Sequence, residues 1–317
     1  MKAMVIYEPG SSNQFVQEER DIPDVKEGWS LVKVKGFGIN HSEIFTRQGL
    51  SPSVQFPRVL GIECVGVLEK STDPTLKEGT TVLSIMGEMG RAFDGSYQEY
   101  VLLPNHQIYP IETKLDWKDL AAIPETYYTA FGSLLNLRIQ NGQSVLVRAA
   151  TSGVGIAFVK LVKGMYPDCK VTGSCRSMGK AEALKKVGFD EVILDKDGVL
   201  QTGEAFDRAL ELIGPATLKD TCGHIQENGI VCSTGQLGGQ WTMEGFDPIM
   251  DLPANGYLTS FYSGNVSKET LNEMIKNLEE HHVNVSPEKV FALEEVGMAH
   301  AYLEGHKSFG KCVVVIE

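Results

Sequence analysis

The segment 144–163, SVLVRAATSGVGIAFVKLVK, places the strongest constraint on the fold of this chain of 317 residues. Its apolar run 144–147 predicts a buried strand, and the apolar residues after Gly153 recur on one helix face, which predicts a helix over 153–163. A small-residue turn from strand to helix lets the backbone approach a pyrophosphate, which binds the N–H groups and positive dipole end of the helix. The segment therefore predicts a dinucleotide-binding turn, made by Ala150, Thr151, Ser152, Gly153, Val154 and Gly155.

Two positions of this turn depart from the usual pattern G-x-G-x-x-G. Ala150 and Ser152 stand where the first two glycines are expected, and their side chains add bulk where glycine adds none. An ordinary tight turn between a strand and a helix, without a ligand, is therefore the alternative interpretation.

The next strand and helix favour the dinucleotide site. Residues 170–175 predict a second strand, and 178–187 predict a helix that ends at Gly188. At the tip of such a strand an acid binds the ribose 2′-hydroxyl of NAD, whereas an Arg accommodates the 2′-phosphate of NADP. This chain has Arg176, Ser177 and Lys180 there, and no acid before Glu182. The pattern predicts NADP(H) as cofactor, and a solvated basic turn is the alternative.

Asp195 opposes this cofactor assignment. It follows the apolar run 192–194, which predicts the third strand of the same sheet. A carboxylate close to a 2′-phosphate repels it unless the side chain is turned away.

Charge and cysteine usage limit the partners that the chain can have. The net charge is −12 and the calculated pI is about 5.1, which predicts neither nucleic acid nor an anionic membrane as partner. No apolar run approaches the ~20 residues of a membrane span, and the start MKAMVIYEPG predicts a strand and not a signal peptide. Six scattered cysteines without C-x-x-C indicate free thiols in a reducing compartment, so we expect a cytoplasmic protein.

The distribution of strands and helices predicts two domains. Alternating or short apolar runs at 31–35, 65–68, 81–83 and 95–101 predict a β-rich first part, and 289–291 and 311–316 predict further strands at the end. Between them, strands at 191–194, 206–211, 229–232 and 256–259 continue the strand–helix alternation, and a helix is expected over 268–281. Such alternation is typical of a parallel sheet with helices on both faces.

Seven stretches occur in a specific order and spacing: GFGINHSEIFTRQG, FPRVLGIECVGVL, GSYQEYVLLP, AAIPETYYTAFGSLL, AATSGVGIAFVKLVK, ENGIVCSTGQLGG and GKCVVVIE. Together they resemble the medium-chain dehydrogenases/reductases of the zinc-independent quinone oxidoreductase type, over essentially the whole chain. The resemblance implies an α/β fold in which a doubly wound parallel Rossmann sheet is inserted into a β-rich, GroES-like catalytic domain, with the active site in the cleft between them. We expect the GroES-like domain at 1–118 and 289–317 and the NADP(H)-binding Rossmann domain at 119–288.

The resemblance also bears on metal binding, because the family includes zinc alcohol dehydrogenases. Where those relatives carry the first Cys ligand this chain has Asn40, and where they carry His in a G-H-E triplet it has Ile62. An isoleucine cannot bind zinc, and the four-Cys structural lobe is absent from the short loop 85–94. A single thiol without partner ligands, such as Cys64, is more often a packed apolar side chain than a zinc ligand. We therefore expect no zinc.

Further roles are implied by the resemblance. It places Asn40, Glu43, Phe45 and Arg47 near the nicotinamide end of the cleft, where Glu43 replaces an Asp and Phe45 replaces a common Tyr. His41 is a candidate hydrogen-bond or proton donor to the substrate, with a loop-fixing role as the alternative. The remaining cofactor residues implied by the family pattern are Thr129, Ser174 and Gly235.

The function expected from this pattern is reduction of a quinone or an α,β-unsaturated carbonyl by NADPH, because neither reaction requires a Lewis acid to deprotonate an alcohol. Reduction of an enoyl thioester is the alternative among enzymes. A non-catalytic NADPH-binding sensor or structural protein is the alternative from another class. An apolar, aromatic strand near 256–264 corresponds to the family's dimer edge, so a homodimer is expected.

Overall fold

A computed structural model of the protein describes residues 1–305 and 308–317. These residues form two compact units. The first comprises Met1–Thr126, Gly264–Asn272 and Val285–Glu317, and the second comprises Tyr127–Ser263 and Glu273–Asn284.

The strands, in chain order, are β1 (Lys2–Ile6), β2 (Val16–Glu19), β3 (Trp29–Gly38), β4 (Arg58–Val59), β5 (Glu63–Ser71), β6 (Thr81–Ile85), β7 (Tyr100–Pro104), β8 (Tyr109–Pro110), β9 (Ser144–Val147), β10 (Lys170–Cys175), β11 (Glu191–Lys196), β12 (Val199–Leu200), β13 (Phe206–Glu211), β14 (Ile225–Ser233), β15 (Tyr257–Ser260), β16 (Lys289–Phe291) and β17 (Cys312–Val315). The α-helices are α1 (His41–Arg47), α2 (Trp117–Ala121), α3 (Pro124–Leu137), α4 (Gly153–Met165), α5 (Ala181–Lys186), α6 (Leu218–Gly223), α7 (Pro248–Asp251), α8 (Lys268–Glu280) and α9 (Val296–Glu304). None of the helices in the described ranges is long and apolar enough to cross a membrane.

The first unit is built on a mixed sheet with the order β16-β17-β3-β5-β6-β8, in which β7 also pairs with β3. Every pair is antiparallel except β16–β17. The long central strand β3 and its neighbour β5 approach each other closely at Gly66 of β5. A Cβ atom at Gly66 would lie 2.2 Å from the carbonyl oxygen of Lys33 on β3. Apolar side chains of β1, β3, β5 and α9 form its core, with Phe37, Leu68 and Val296 almost fully buried.

The second unit contains a seven-stranded sheet with the order β12-β11-β10-β9-β13-β14-β15. All neighbours are parallel except β11 and β12. Without the short strand β12, this is the strand order 3-2-1-4-5-6 of the doubly wound Rossmann fold. The strand order reverses between β9 and β13, and ligands of such sheets bind beyond the carboxyl ends of the strands near this point. The predicted α/β fold class is therefore confirmed.

The structure differs from the sequence predictions at several boundaries. The alternating residues 95–101 do not form one strand, since β7 begins at Tyr100. The residues before it form a turn instead, because Gly95 packs against the backbone of Gly61 and the Gln98 side chain donates to the Gly95 carbonyl oxygen at 2.8 Å. The helix expected over 178–187 is a 3-10 turn followed by α5. Helix α2 lies in the first unit because it packs against β3, β5 and β17, although we expected the second domain to begin at 119.

Candidate functional site

The turn between β9 and α4 contains the residues predicted to bind pyrophosphate. Ser152 is the N-cap of α4: its Oγ accepts a hydrogen bond from the Gly155 N–H at 3.1 Å and donates to the Ala149 carbonyl oxygen at 2.8 Å. The first turn of a helix leaves N–H groups without intrahelical acceptors, and those of Gly153 and Val154 belong to this set. They are the groups that an anion would bind.

Close packing around this turn explains one of its glycines. A Cβ atom on Gly155 would lie 2.8 Å from the Ala150 carbonyl oxygen and 2.9 Å from that of Ala149. The third glycine of a dinucleotide-binding turn has this role, since it permits close packing of helix against strand. The residues of this turn therefore fit a dinucleotide, even with Ala150 and Ser152 at the other two glycine positions.

Ser174 supports the turn from the neighbouring strand. Its buried Oγ accepts from the Ala149 N–H at 3.2 Å, and its carbonyl oxygen accepts from the Ala150 N–H at 3.0 Å. Ala149 adopts a left-handed backbone with φ 62°, which an alanine adopts only at an energetic cost. The contacts of Ser174 place it beneath the turn, so it holds the backbone in this conformation.

The predicted 2′-phosphate site lies just after β10. Arg176, Ser177 and Lys180 are all exposed or partly exposed, and the Ser177 side chain accepts a bond from the Gly179 N–H at 3.4 Å. The Asp195 carboxylate, which we expected to oppose a phosphate, accepts from Nε of Arg148 at 2.8 Å and from Nη2 at 3.2 Å. Sequence analysis missed Arg148, because nothing in the chain around it signals a buried partner.

Thr129 and Gly235 lie elsewhere in the second unit. Thr129 is on α3, and its carbonyl oxygen accepts from Ser133 Oγ, which also contacts Thr234 at 2.9 Å. Gly235 follows β14, and a Cβ atom there would lie 2.1 Å from the Leu212 carbonyl oxygen. This position thus needs glycine because two loops at the carboxyl ends of β13 and β14 approach each other. Cofactor contacts of Thr129 and Gly235 stay a prediction.

In the first unit, Asn40 lies at the centre of a polar cluster at the start of α1. Its Nδ2 donates to Glu63 Oε1 at 2.8 Å, and its Oδ1 accepts from Lys311 Nζ at 2.6 Å. Lys311 Nζ also lies 2.6 Å from Glu63 Oε1. Both ends of the Asn40 amide are thus engaged by protein groups. This arrangement fixes the amide, and a role of Asn40 towards the substrate stays a prediction.

Glu43 also belongs to this cluster. Its carboxyl group accepts from the backbone N–H of Asn40 at 3.1 Å and from that of Ile62 at 3.3 Å. Burial, reinforced by the nearby Glu63 carboxylate, raises the pKa of Glu43 to about 8. Glu43 therefore holds a proton at neutral pH, and the charged pair of the cluster is Lys311 with Glu63.

Arg47 makes its hydrogen bonds to other parts of the first unit. Arg47 is buried, its Nε donates to the Gly10 carbonyl oxygen at 3.1 Å, and its two terminal nitrogens bind Glu304 at 2.9 and 2.5 Å. These bonds give Arg47 a structural role. His41 and Phe45 are partly exposed on α1, and their catalytic roles stay predictions.

Glu63, Lys311 and a buried pair, Tyr97 and His300, were missed by the sequence analysis. The Tyr97 hydroxyl lies 3.0 Å from Nε2 of His300, and both side chains are fully buried. Burial lowers the pKa of His300 to about 3, so its imidazole is neutral. The available signal for Glu63 was its place beside Ile62 in the stretch GIE, and that for Lys311 was only its place in the stretch GKC.

Within 1–305 and 308–317, no three His, Cys, Asp or Glu side chains come together in a way that could hold an ion. Ile62, at the position of the missing His, is a buried apolar residue. The absence of zinc stays a prediction that rests on the residue types at these positions.

Both parts of the chain are similar to known dehydrogenase families. Residues 26–113 match the alcohol dehydrogenase GroES-like domain, and residues 187–314 match the zinc-binding dehydrogenase family. A putative quinone oxidoreductase, YhfP of Bacillus subtilis, is 32% identical over 228 residues, which cover 68% of this chain and 68% of the relative. The chain belongs to the medium-chain dehydrogenase/reductase superfamily. This confirms the resemblance seen in the sequence and makes the protein an oxidoreductase by family.

Two further similarities span nearly the whole chain. An Arabidopsis thaliana protein, the chloroplastic NADPH-dependent alkenal/one oxidoreductase, is 28% identical over 323 residues, covering 99% of this chain and 79% of the relative. The crystal structure of Bacillus subtilis yhfP with NAD bound superposes with a TM-score of 0.86, at 23% identity over 99% of both chains. At 23% identity, the similarity to the yhfP structure shows the fold.

Proposed function

We propose that this protein is an NADPH-dependent, zinc-independent oxidoreductase that reduces a quinone or an α,β-unsaturated carbonyl compound. The observation that carries the proposal is the Asn40–Glu63–Lys311 cluster. By the resemblance, Asn40 takes the position of the first Cys ligand of zinc-dependent relatives. The cluster contains an amide, an ion pair and no thiolate or imidazole ligand. Reduction of a conjugated carbonyl or quinone is chemistry that such a site supports without a Lewis acid.

The second unit supports the cofactor part of the proposal. The N–H groups at the start of α4 would bind the pyrophosphate, and Arg176 with Lys180 would bind the 2′-phosphate through charge-assisted hydrogen bonds. When bound, the nicotinamide would supply the hydride. An NADPH-dependent alkenal/one oxidoreductase among the relatives agrees with this choice of cofactor and substrate class.

The first unit would contribute orientation and charge. Lys311 and Glu63 hold the Asn40 amide from both ends, so the start of α1 keeps one conformation. Glu43 retains its proton beneath this cluster at neutral pH, which keeps the cluster from accumulating a second negative charge. A site held in this way is preorganised, which is what a reaction dominated by positioning requires.

A second candidate function is binding of NADPH without turnover. It is favoured by the engaged Asn40 amide and by Phe45, which has no hydroxyl to donate to a substrate. The test is NADPH consumption by the purified protein with a panel of quinones, enones and one enoyl thioester. The proposal predicts turnover with a quinone or an enone. Turnover with the thioester alone would identify the other reductase class, and unchanged NADPH absorbance with every compound would indicate a binding protein.

A further inference from the structure

A buried arginine in the second unit has no role in the proposed function. Arg148 follows β9 directly, precedes the nucleotide turn, and is 0% exposed. Its guanidinium binds the Asp195 carboxylate with two nitrogens and also contacts Asp220, at 2.7 Å from Nη1. Its remaining bonds go to the carbonyl oxygens of Thr217 and Gly198 and to the Thr221 hydroxyl. The side chain therefore joins the carboxyl ends of β9 and β11 to α6.

The register of the sheet places Asp195 beside Arg176. Strands β10 and β11 are parallel, and their last paired positions are Cys175 and Leu194. Arg176 and Asp195 each come one residue later. Because paired positions of neighbouring parallel strands lie about 4.8 Å apart, these residues are neighbours at the tip of the sheet.

Opposite charges at neighbouring positions attract each other. The Arg176 side chain is exposed, and within the described ranges its guanidinium contacts no protein acceptor. A carboxylate left unpaired at position 195 would be the nearest acceptor for Arg176 and would repel a phosphate brought to it. The structure avoids both effects, because the Asp195 carboxylate is buried and bound by Arg148.

We propose that Arg148 is a specificity-determining residue, which selects for the 2′-phosphorylated cofactor by holding Asp195 away from Arg176. This inference rests on the proposed use of NADPH and adds a residue to it. Arg148 is a positioning residue in this account, since it acts through Asp195 and touches no cofactor.

Asp220 provides a matched control within the same cluster. It shares the Arg148 guanidinium with Asp195, but it lies on α6 and its Oδ2 also accepts from the Leu200 N–H at 3.1 Å. Loss of its charge perturbs the same arginine without changing the residue next to Arg176.

The experiment measures dissociation constants of NADPH and NADH by fluorescence titration of the full-length wild type and four variants. These are Arg148→Gln, Asp195→Asn, the double variant with both changes, and Asp220→Asn. In Arg148→Gln we expect the preference for NADPH over NADH to fall about tenfold or more, the effect of one unshielded charge near the phosphate. The double variant restores the preference to within about threefold of wild type, and Asp220→Asn leaves it unchanged.

Three outcomes would overturn the inference. One is an equal weakening of NADPH and NADH binding in Arg148→Gln, which would make Arg148 only a support for the turn. Another is a failure of the double variant to restore the preference. If Arg148→Gln does not fold, the single variant Asp195→Asn decides. The inference expects its preference for NADPH over NADH to change by less than about threefold. A tenfold tighter binding of NADPH would contradict the inference.

The same titration separates this inference from the proposed function. A wild type that binds neither nucleotide, or binds NADH in preference, contradicts the proposed cofactor. A wild type that prefers NADPH, with that preference unchanged in Arg148→Gln, contradicts the role of Arg148 alone.

Discussion

At the scale of single residues, the structure pairs polar side chains that the sequence leaves far apart. Asn40 and Lys311 are separated by 271 positions and Arg47 and Glu304 by 257. The family resemblance implied Asn40 and Arg47 as site residues but not their partners, because periodicity and motif spacing report only on neighbours along the chain. The positions of these side chains depend on which strands pair, and this information is absent from any local pattern.

Replacing Asn40 tests whether the fixed amide matters for turnover. In Asn40→Ala the ion pair of Lys311 and Glu63 remains, so we expect a loss of unfolding free energy of only about 1–2 kcal/mol. Turnover with an enone or quinone should fall roughly tenfold to a thousandfold, with little change in NADPH affinity. Gln98→Ala removes another buried amide of this unit, bonded to Gly95, and should leave turnover unchanged. Full turnover in Asn40→Ala would show that the assignment of the active site is wrong.

The raised pKa of Glu43 predicts how the stability of the protein depends on pH. Its pKa is raised from 4.5 to about 8 in the folded protein, so its contribution to stability is present below pH 4.5 and is lost as the pH rises through 8. His300 acts in the opposite sense, since its pKa is lowered from 6.5 to about 3 and its contribution is lost only as the pH falls below 6.5. In the interval from pH 6.5 to 8 the contribution of His300 no longer changes with pH, and comparison of the wild type with Glu43→Gln separates Glu43 from Glu211, whose pKa burial also raises.

Urea unfolding across that interval measures the effect. We expect the wild-type unfolding free energy to decrease with pH, through Glu43, by at most about 1.4 kcal/mol per pH unit. Glu43→Gln, which cannot titrate, should remove this decrease. A variant that keeps the wild-type slope would show that Glu43 is already ionised in the folded protein.

At the scale of secondary-structure elements, the sequence predictions were most accurate in the Rossmann sheet. The predicted strands 144–147, 170–175 and 206–211 have the bounds of β9, β10 and β13. β9 is an apolar run, and β10 and β13 are mostly buried although they contain polar residues such as Thr172 and Arg208. All three lie side by side in the parallel sheet, whose strands are typically buried. Accuracy was lower in the first unit, where the alternation at 95–101 belongs partly to a turn held by Gln98.

The turn between β9 and α4 gives the prediction at this scale. Gly155→Ala brings a Cβ atom within 2.8 Å of the Ala150 carbonyl oxygen, so the turn must shift. We expect a loss of stability of about 1–3 kcal/mol and of nucleotide affinity, measured by thermal unfolding and by NADPH titration. In Gly164→Ala, on the same helix, the nearest atom is the Cβ of His281 at 3.2 Å, and nucleotide binding should persist. Normal NADPH affinity in Gly155→Ala would separate this turn from the cofactor.

At the scale of the whole molecule, the exposed edge of the Rossmann sheet predicts assembly. β15 pairs with β14 on one side only in the described residues, and it carries the exposed side chains of Tyr257 and Leu258. Apolar strand edges of this kind favour pairing with a second strand, and a twofold axis at β15 would continue the sheet.

We therefore expect a homodimer, with twice the 34.7 kDa mass of the chain, in light scattering at micromolar concentration. Leu258→Lys should shift the protein towards monomer. Val199→Lys, at the opposite edge strand β12, should leave the dimer intact. A monomer mass for the wild type would contradict this mode of assembly.

The measurement that tests the central claim most directly is NADPH consumption by one protein sample whose metal content is known. The purified protein is treated with a chelator, its zinc is determined by elemental analysis, and quinones and enones are then added with NADPH. The proposed chemistry predicts less than stoichiometric zinc and undiminished NADPH-dependent reduction of at least one compound, with one NADPH consumed per product formed. One tightly held zinc per chain, or turnover that disappears with the metal, would contradict the account.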